Sequence, residues 1–465
     1  MKTTLALFFG NRGFFPESLI ESAIEEMSAA VKAAGAQVLV APAQMTRYNA
    51  VETAEEGRKY AAFLKEHEGK YDGVVLCMPN FSDETGAYTA LKNCGVPILI
   101  QAYPDELGKM NPANRRDAFC GKFSIMDVFY QAQLPFTAYS PHVCSPKSTA
   151  FQAHIDSFIS VCNVVKHMKS FTMLSIGART TAFKTLRYDE IALQRVGITT
   201  ETLDLSSVLA KIEALSESDD RFKRKKETFL DYTNWSSMPE RSFVNLVKTS
   251  VIMDQLLDEY NTNCMTLRCW DEFEQRLGIA PCVVLSELNH RGIVASCEMD
   301  AMNAIAMRAL SYATGNAAAC LDWNNNYGED EDKCILFHCG PVAQSMMDGK
   351  GLVKEHMMFK KSFGDDFGWG TNEGRIRPMQ ITLCSATTED GKVRLYAEQG
   401  EITPDPIDKE FFGCAGVCFM KDMQKKLLYM GTNGFRHHVS ISEGNRKAVL
   451  EEALGKYLGY DILSM

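Results

Sequence analysis

The sequence predicts an α/β protein in which two parallel-sheet domains are followed by a mostly β domain. Three observations support this class. The first third of the chain alternates short apolar runs with amphipathic segments, and the same alternation starts again near Ser170. From about Asn316, short apolar strands separated by turns replace it. Because alternating strands and helices favour a parallel sheet covered by helices, we expect domains at residues 1–169, 170–315 and 316–465.

The first predicted domain is a Rossmann- or flavodoxin-like unit. Its apolar runs predict strands, and segments with apolar residues at three- and four-residue spacing predict helices. The strands are expected at 3–9, 37–41, 73–78 and 96–101, and the helices at 17–34 and 53–67. In such sheets ligands bind at the carboxyl ends of the strands. The loops at these ends, residues 10–16 and 79–84, are therefore candidates for binding.

The second domain repeats this pattern, and the third does not. In the second domain we expect strands at 171–176, 265–269 and 280–285, a loop at 177–181, and helices at 183–196 and 298–313. The charged run 219–227 is interpreted as a solvated helix face. In the third domain, turns such as 389–391 separate short strands expected at 335–338, 381–386 and 393–398. This pattern favours a mostly β domain.

Composition excludes several classes of protein. The chain has 465 residues and a net charge of -10, which disfavours a nucleic-acid partner because such a partner needs a basic face. No run reaches the roughly 20 apolar residues of a membrane span, and the first nine residues fit a strand better than a signal peptide. We therefore expect a cytoplasmic protein without membrane or nucleic-acid partners.

The fifteen cysteines are interpreted as buried free thiols. They lie mostly inside apolar runs, and a chain of this length has enough core without disulfide bonds. No C-x-x-C pattern occurs, and the closest pairs, Cys264 with Cys269 and Cys414 with Cys418, lack the partner pair that a structural zinc site needs.

Two acidic positions in the second half lie in small or apolar surroundings. The segment 296–300 places Glu298 and Asp300 at the apparent start of a helix. There, attraction to the positive end of the helix dipole is the alternative to a functional role. Asp322 follows a run of small residues that predicts a buried strand or its end. A carboxylate emerging from such a strand is often functional, although a helix cap or a turn would also explain it.

Three histidines accompany these acids. His338 ends an apolar strand just before Cys339-Gly340-Pro341, and on its own it would be read as a core histidine with satisfied hydrogen bonds. His437 and His438 are adjacent, so in a strand they would point to opposite faces, and at most one would face a given metal. Two carboxylates with two imidazoles suit a divalent ion such as Mn²⁺, whereas zinc less often takes two carboxylates.

These segments resemble the L-fucose isomerase and L-arabinose isomerase family. The resemblance covers most of the chain and is strongest at 295–300, at 320–323, at the strand end with His338, and at 434–439. It implies two Rossmann-like domains and a C-terminal β domain, assembled as homotrimers or homohexamers. It also implies that Glu298, Asp322, His338 and His438 bind the metal, that His437 reaches the substrate, and that Glu298 and Asp322 are the acid/base residues.

The expected reaction is therefore aldose-ketose isomerisation with Mn²⁺. A divalent ion can hold two neighbouring sugar oxygens and stabilise the enediolate that forms when a proton leaves the adjacent carbon. A nearby carboxylate then moves this proton between C1 and C2. The alternatives are a metal-dependent aldolase or epimerase and a non-catalytic sugar-binding protein. A nicotinamide dehydrogenase is disfavoured, since the loop at 10–13 lacks the G-x-G-x-x-G pattern.

The resemblance is weaker in the loops that would choose the substrate. Arg12 and Asn80 occupy loops that resemble substrate-contacting loops, in some relatives across a subunit boundary. Arg12 stands where arabinose isomerases carry an uncharged residue, which favours the relatives that isomerise sulfoquinovose over those specific for L-fucose or an arabinose. A sulfonate needs cationic donors, and the candidates lie in loop-like segments flanked by glycine: Arg12, Arg375, Arg377 and Arg436.

Overall fold

The computed structural model describes residues 2–465, and the chain folds into two compact units. One unit runs up to Lys166 and includes Glu452–Leu458, and the other comprises His167–Glu451 and Gly459–Met465. Within the described residues, no helix is long and apolar enough to cross a membrane. All fifteen cysteines are free and thirteen of them are buried, with Cys94 partly exposed and Cys120 exposed. The prediction of buried free thiols is confirmed.

The N-terminal unit is built on a four-stranded parallel sheet in the order β2-β1-β3-β4. Three of its strands are apolar runs that are buried almost throughout, which explains why the sequence reveals them, whereas the edge strand Gln37–Val40 is partly exposed. Its elements are β1 Thr4–Phe9, α1 Ile20–Ala33, β2 Gln37–Val40, α2 Ala54–Glu66, β3 Gly73–Met78, α3 Glu84–Leu91, β4 Ile98–Ala102, α4 Ala118–Gln131 and α5 Thr149–Met168. Each predicted strand and helix is present, with bounds shifted by three residues at most.

A second parallel sheet has the same order of strands along the chain, β6-β5-β8-β9. Its surrounding elements are β5 Phe171–Ile176, α6 Glu190–Arg195, β6 Ile198–Leu203, α7 Leu205–Ala214, α8 Asp220–Tyr232, β7 Asn234–Trp235, α9 Glu240–Glu259, β8 Cys264–Leu267, α10 Glu272–Leu277, α11 Cys282–His290, β9 Val294–Cys297 and α12 Ala301–Thr314. The two Rossmann-like sheets predicted from the alternation are confirmed.

Two predicted elements of this region are wrong. The apolar run at 280–285 is not a strand but the beginning of α11, which follows Pro281. The helix expected at 183–196 is reduced to one 3-10 turn, Lys184–Leu186, and the six residues of α6. Asp189 caps α6 by accepting a hydrogen bond from the backbone N–H of Ile191, so the helix begins there.

The C-terminal part forms a ten-stranded sheet in the order β18-β15-β14-β17-β10-β11-β16-β13-β12-β7. Its new elements are β10 Ala318–Tyr327, β11 Asp330–His338, β12 Leu352–Glu355, α13 Met357–Phe363, β13 Trp369–Arg375, β14 Met379–Glu389, β15 Lys392–Thr403, β16 Cys414–Phe419, α14 Met423–Thr432, β17 His438–Glu443, α15 Lys447–Leu450 and β18 Asp461–Ile462. The mostly β character predicted here is confirmed. The strands of each sheet lie within one predicted domain range, with the exception of β7, which joins the large sheet from the second range. The domain boundaries at 169 and 315 stay our proposal.

Candidate metal centre

The turn between β9 and α12 places two acids at the carboxyl end of the second parallel sheet. Glu298 and Met299 both have left-handed backbone conformations, with φ of 61° and 65°, which non-glycine residues rarely adopt. The turn ends at Asp300, whose side chain caps α12 by accepting a hydrogen bond of 3.0 Å from the backbone N–H of Asn303. The predicted helix therefore starts three residues later than expected, and Glu298 lies before it.

Three neighbouring strands of the large sheet supply the other candidates. Asp322 in β10 lies opposite His438 in β17 and opposite Phe337 in β11. His338, the last residue of β11, follows Phe337 directly. The register of this antiparallel sheet thus brings together residues that are up to 116 positions apart in the sequence.

The acids and histidines converge on the His438 imidazole. Its Nε2 lies 3.3 Å from Glu298 Oε2 and 3.2 Å from Asp322 Oδ1. The ligand atoms of Glu298, His338 and His438 lie within 4.8 Å of one another, and so do those of Asp322, His437 and His438. The four residues predicted to bind metal therefore meet around one histidine, which is the opposite of what a sugar-binding protein without a metal site predicts.

Asp300 orients this histidine. Its Oδ2 accepts hydrogen bonds from His438 Nδ1 at 2.7 Å and from Asn303 Nδ2 at 2.6 Å. Its Oδ1 accepts from Arg436 at 3.0 Å, in addition to the N–H of Asn303. Because each oxygen of Asp300 accepts two hydrogen bonds, this carboxylate is an orienting partner for His438. The imidazole thereby presents its Nε2 atom to the two other acids.

The electrostatics match this division of roles. Burial alone would raise the pKa of Asp300, but Arg436 and His438 outweigh it and hold the pKa well below its usual value. Burial likewise raises the pKa of Asp322, and the neighbouring histidines lower it overall. For His438, burial lowers the pKa, whereas Cys320, Asp300 and Asp322 raise it well above its usual value. Without a metal, a proton on His438 and the Arg436 guanidinium together balance the charges of Asp300 and Asp322.

The donor set fits a divalent cation. Asp322 Oδ1 is buried and, although it lies 3.2 Å from His438 Nε2, its geometry falls short of a hydrogen bond to any group in residues 2–465. A buried carboxylate oxygen without a partner is costly, and a cation beside it would remove that cost. Mixed oxygen and nitrogen donors suit Mn²⁺ and related ions.

His338 is less free to bind metal than the sequence suggests. Its Nδ1 accepts a hydrogen bond of 2.9 Å from the backbone N–H of Cys339. Its Nε2 lies 3.4 Å from Cys297 Sγ. Binding a cation through either nitrogen requires one of these contacts to give way.

His437 lies on the exposed side of the centre. Its side chain is 44% exposed, against 1% for His438, and its Nε2 lies 3.7 Å from Asp322 Oδ1. The His437 ring therefore faces solvent and the His438 ring faces the protein interior. Adjacent residues in an extended segment point in opposite directions in this way. Together with Glu298, Asp322 and His338, His437 lines an open cavity of about 440 Å³.

Aromatic side chains form part of the lining of this substrate-sized cavity, and we call them its aromatic wall. Trp270, Phe183 and Phe412 line it, as do Asn324 and Glu410. None of its lining residues within the described chain is a lysine or an arginine. Apolar walls with a few polar groups are typical of small-molecule sites.

The predicted arginines lie outside this lining. Arg375 donates to the carbonyl oxygens of Asp408 and Phe411, and Arg377 pairs with Glu443. Arg436 is buried against Asp300, as described above. Each of the three arginines therefore donates hydrogen bonds to other groups of the protein. The roles of these arginines as substrate contacts stay predictions.

The remaining two predicted contacts belong to the N-terminal unit. Arg12 pairs with Glu84 at 3.2 Å and lies 4.0 Å from the centre of the Phe81 ring. Asn80 is fully buried and donates a hydrogen bond to Asn11 Oδ1. Arg12 is therefore a partly exposed cation in a loop, whereas Asn80 has a structural partner.

Sequence reasoning missed two features of the centre. It treated Asp300 only as a residue at a helix start, although an acid followed three residues later by Asn303 is a capping pattern that marks a constrained carboxylate. It also gave no role to the aromatic wall, which includes Trp270. No local pattern reveals that wall, because its members come from separate loops.

Comparison with known proteins agrees with the fold. Residues 6–169 match the N-terminal domain of the fucose/sulfoquinovose isomerases, and residues 336–465 match the C-terminal domain of L-fucose isomerase. A sulfoquinovose isomerase of Alkalicoccus urumqiensis is 24% identical over 348 residues, which cover 74% of this chain and 75% of that protein. One of Priestia megaterium is 23% identical over 431 residues, covering 91% and 90%.

The fold and the site together define an aldose-ketose isomerase that acts on a sugar. Within that class, the chain belongs to the fucose isomerase family, as both family matches and the relatives indicate. Members of this family depend on a metal ion, and the residues around His438 are candidate ligands.

Proposed function

We propose that the chain is a Mn²⁺-dependent sugar isomerase whose ion is held by Glu298, Asp322, His338 and His438. The observation that carries this proposal is the position of His438 Nε2, within 3.3 Å of carboxylate oxygens of both acids. The hydrogen bond from Nδ1 to Asp300 supports it further, because metal-binding histidines usually donate their other ring N–H to such a partner.

The chemistry divides among these residues. A bound divalent ion would polarise the sugar carbonyl and stabilise the enediolate. Glu298 or Asp322 takes the proton from C2 of the aldose on a carboxylate oxygen and returns it to C1. The hydroxyl proton of O2 moves to O1, so that the carbonyl group shifts from C1 to C2. His437, which is half-exposed in the cavity, donates a hydrogen bond to a sugar hydroxyl. The aromatic wall packs against the sugar and excludes water from the proton that moves.

For the substrate we propose sulfoquinovose, which would be converted to 6-deoxy-6-sulfofructose. The names of the relatives support it, as does Arg12, which offers the charge that a sulfonate needs. L-Fucose and the arabinoses are the alternatives. A homotrimer or homohexamer and a cytoplasmic location are further proposals, which rest on the family resemblance.

The test is conversion of sugars followed by NMR. The metal-stripped full chain is incubated with sulfoquinovose, L-fucose, L-arabinose or D-arabinose, with and without Mn²⁺. We expect the ketose signals of 6-deoxy-6-sulfofructose to appear with Mn²⁺ only. Conversion of another sugar but not of sulfoquinovose would overturn the proposed substrate. Equal conversion with and without Mn²⁺ would overturn the proposed cofactor. Cleavage products or an epimer in place of the ketose would instead indicate the aldolase or epimerase alternative.

A further inference from the structure

A small cavity adjoins the substrate-sized cavity. Trp270, Glu298, His338 and Cys339 line both. The small cavity has a volume of about 10 Å³ for the centre of a water-sized sphere, which is about what one water molecule requires. It is therefore large enough for water and too small for a substrate.

Two titratable side chains that the proposed reaction does not use line this small cavity. Glu274 of α10 is fully buried, and His356, the residue before α13, is 1% exposed. Neither oxygen of the Glu274 carboxyl and neither ring nitrogen of His356 has a hydrogen-bond partner in residues 2–465. Four such atoms around one cavity are unusual, because buried polar groups are nearly always paired with protein or with ordered water.

Burial favours the neutral form of both groups. It raises the pKa of Glu274 well above its usual value, and neighbouring acids raise it further. Burial lowers the pKa of His356 to about 4. The neutral forms are a carboxylic acid, which has an O–H to donate, and an imidazole with one nitrogen able to accept.

We propose that this cavity binds one water molecule, which accepts a hydrogen bond from the Glu274 carboxyl and donates one to the His356 imidazole. A metal ion fits less well. Although cysteines also line the cavity, the groups of histidine, cysteine and acidic residues that converge within 4.8 Å in the described chain all contain His438. One water molecule pairs one polar atom of each neutral side chain.

The bridged pair supports the wall of the substrate-sized cavity. The His356 ring packs against Phe359 at 4.3 Å and against Phe412 at 5.7 Å between ring centres. Phe359 in turn meets Trp270 edge to face at 5.3 Å. Because Trp270 and Phe412 line the substrate-sized cavity, Glu274 and His356 are positioning residues for it. Only this positioning role rests on the proposed function.

A double-mutant cycle tests the water bridge without reference to activity. The melting temperature is measured for Glu274→Met, His356→Leu and the double variant, with the exposed Gln275→Met on the same helix as control. Each single variant leaves one polar partner buried, whereas the double variant leaves none. We expect the loss in the double variant to be smaller than the sum of the single losses by about 2 °C or more. Additive losses would overturn the bridge.

A crystal structure of the Mn²⁺-loaded wild-type chain provides a second test that does not depend on the variants folding. We expect one water peak within hydrogen-bond distance of both the Glu274 carboxyl and the His356 ring. Direct contact between the two side chains, a dry cavity or an anomalous metal peak there would overturn the proposal.

Kinetics then separate the positioning role from the proposed function. We expect Glu274→Gln, which keeps a donor and an acceptor, to retain kcat within about twofold, and Glu274→Met to raise KM more than it lowers kcat, with metal content unchanged. Equal losses in both variants would contradict positioning by a neutral acid. If the wild-type chain isomerises no sugar, the proposed function fails, while the water bridge is still decided by the melting temperatures and the crystal structure.

Discussion

The two parallel sheets of this protein have the same strand order but different chemistry at their carboxyl ends. In the first sheet, β1 and β3 lead into Asn11 and Asn80, whose buried amides bond to each other, and Asn11 also donates to Glu52. In the second sheet, β9 leads into Glu298 and Asp300, which face an imidazole from the large sheet. One end is a network of paired amides with one acid, and the other concentrates acids around an imidazole.

This difference shows that the repeated fold supplies the position of a site and the loops supply its chemistry. Amides bonded to each other form a rigid base for the neighbouring loop, which carries Arg12. Acids that are buried beside a histidine need a cation or a proton. We therefore expect changes at the second sheet to abolish turnover and changes at the first to alter substrate binding.

The largest effect is expected from Asp322→Asn, which removes a charge without changing shape. Loss of a metal ligand and proton carrier should lower kcat by about 10²–10⁴-fold, as measured by ketose formation. The control is Asp330→Asn, an exposed change at the start of β11 that should leave kcat unaltered. An Asp322→Asn enzyme with full metal content and more than about a tenth of the activity would remove Asp322 from the site.

A smaller effect is expected from Asp300→Asn. The amide loses the ion pair with Arg436 and weakens the orientation of His438, so Mn²⁺ affinity measured by calorimetry should fall by about 10–100-fold. Asp189→Asn, which alters the cap of α6, is the matched control and should leave affinity unchanged. If both variants bind Mn²⁺ equally well, Asp300 has no orienting role.

Metal binding should also depend on pH. Because the pKa of His438 is raised, metal must displace a proton from it, whereas Asp322, with a lowered pKa, is already ionised. Below the pKa of His438, affinity should fall by up to about tenfold for each pH unit decrease. Calorimetry in two buffers of different ionisation enthalpy should detect release of about one proton. Affinity that is independent of pH would contradict a protonated His438 in the metal-free protein.

The smallest effect is expected at the first sheet. Arg12→Gln should raise KM for sulfoquinovose by about fivefold and leave kcat nearly unchanged, because a partly exposed ion pair contributes up to about 1 kcal/mol. Arg115→Gln, which alters an exposed arginine paired with Asp117, is the control. A loss of kcat in Arg12→Gln without a change in KM would contradict the proposal that the first sheet affects substrate binding and the second sheet affects turnover.

The sequence predicted the parallel strands well because each is a short apolar run bounded by polar residues. The strands Gly73–Met78 and Phe171–Ile176 have the bounds that the pattern predicts. The same rule failed at α11, whose residues 282–289 are all buried, so no polar face reveals a helical period. Pro281 before it was the available signal, since proline is favoured near helix starts.

The site could be predicted only in part. Resemblance supplied the identities of the acids and histidines, and strand register explains why Asp322 and His438 meet. The left-handed turn at Glu298 and Met299 has no sequence signature, because neither residue favours that conformation. The contact of Arg436 with Asp300 joins residues 136 positions apart, which no local pattern encodes. Arg436 was predicted to contact substrate because glycine lies near it in the sequence. In the structure it is buried against Asp300, and its role as a substrate contact stays a prediction.

The most direct test of the account is a crystal structure of the Mn²⁺-loaded chain with anomalous data collected at the manganese edge. We predict one strong anomalous peak bonded to Glu298, Asp322, His338 and His438 Nε2, with Asp300 still hydrogen-bonded to His438 Nδ1. A peak elsewhere, or no peak at the carboxyl end of the second sheet in a protein that still converts sugar, would contradict it.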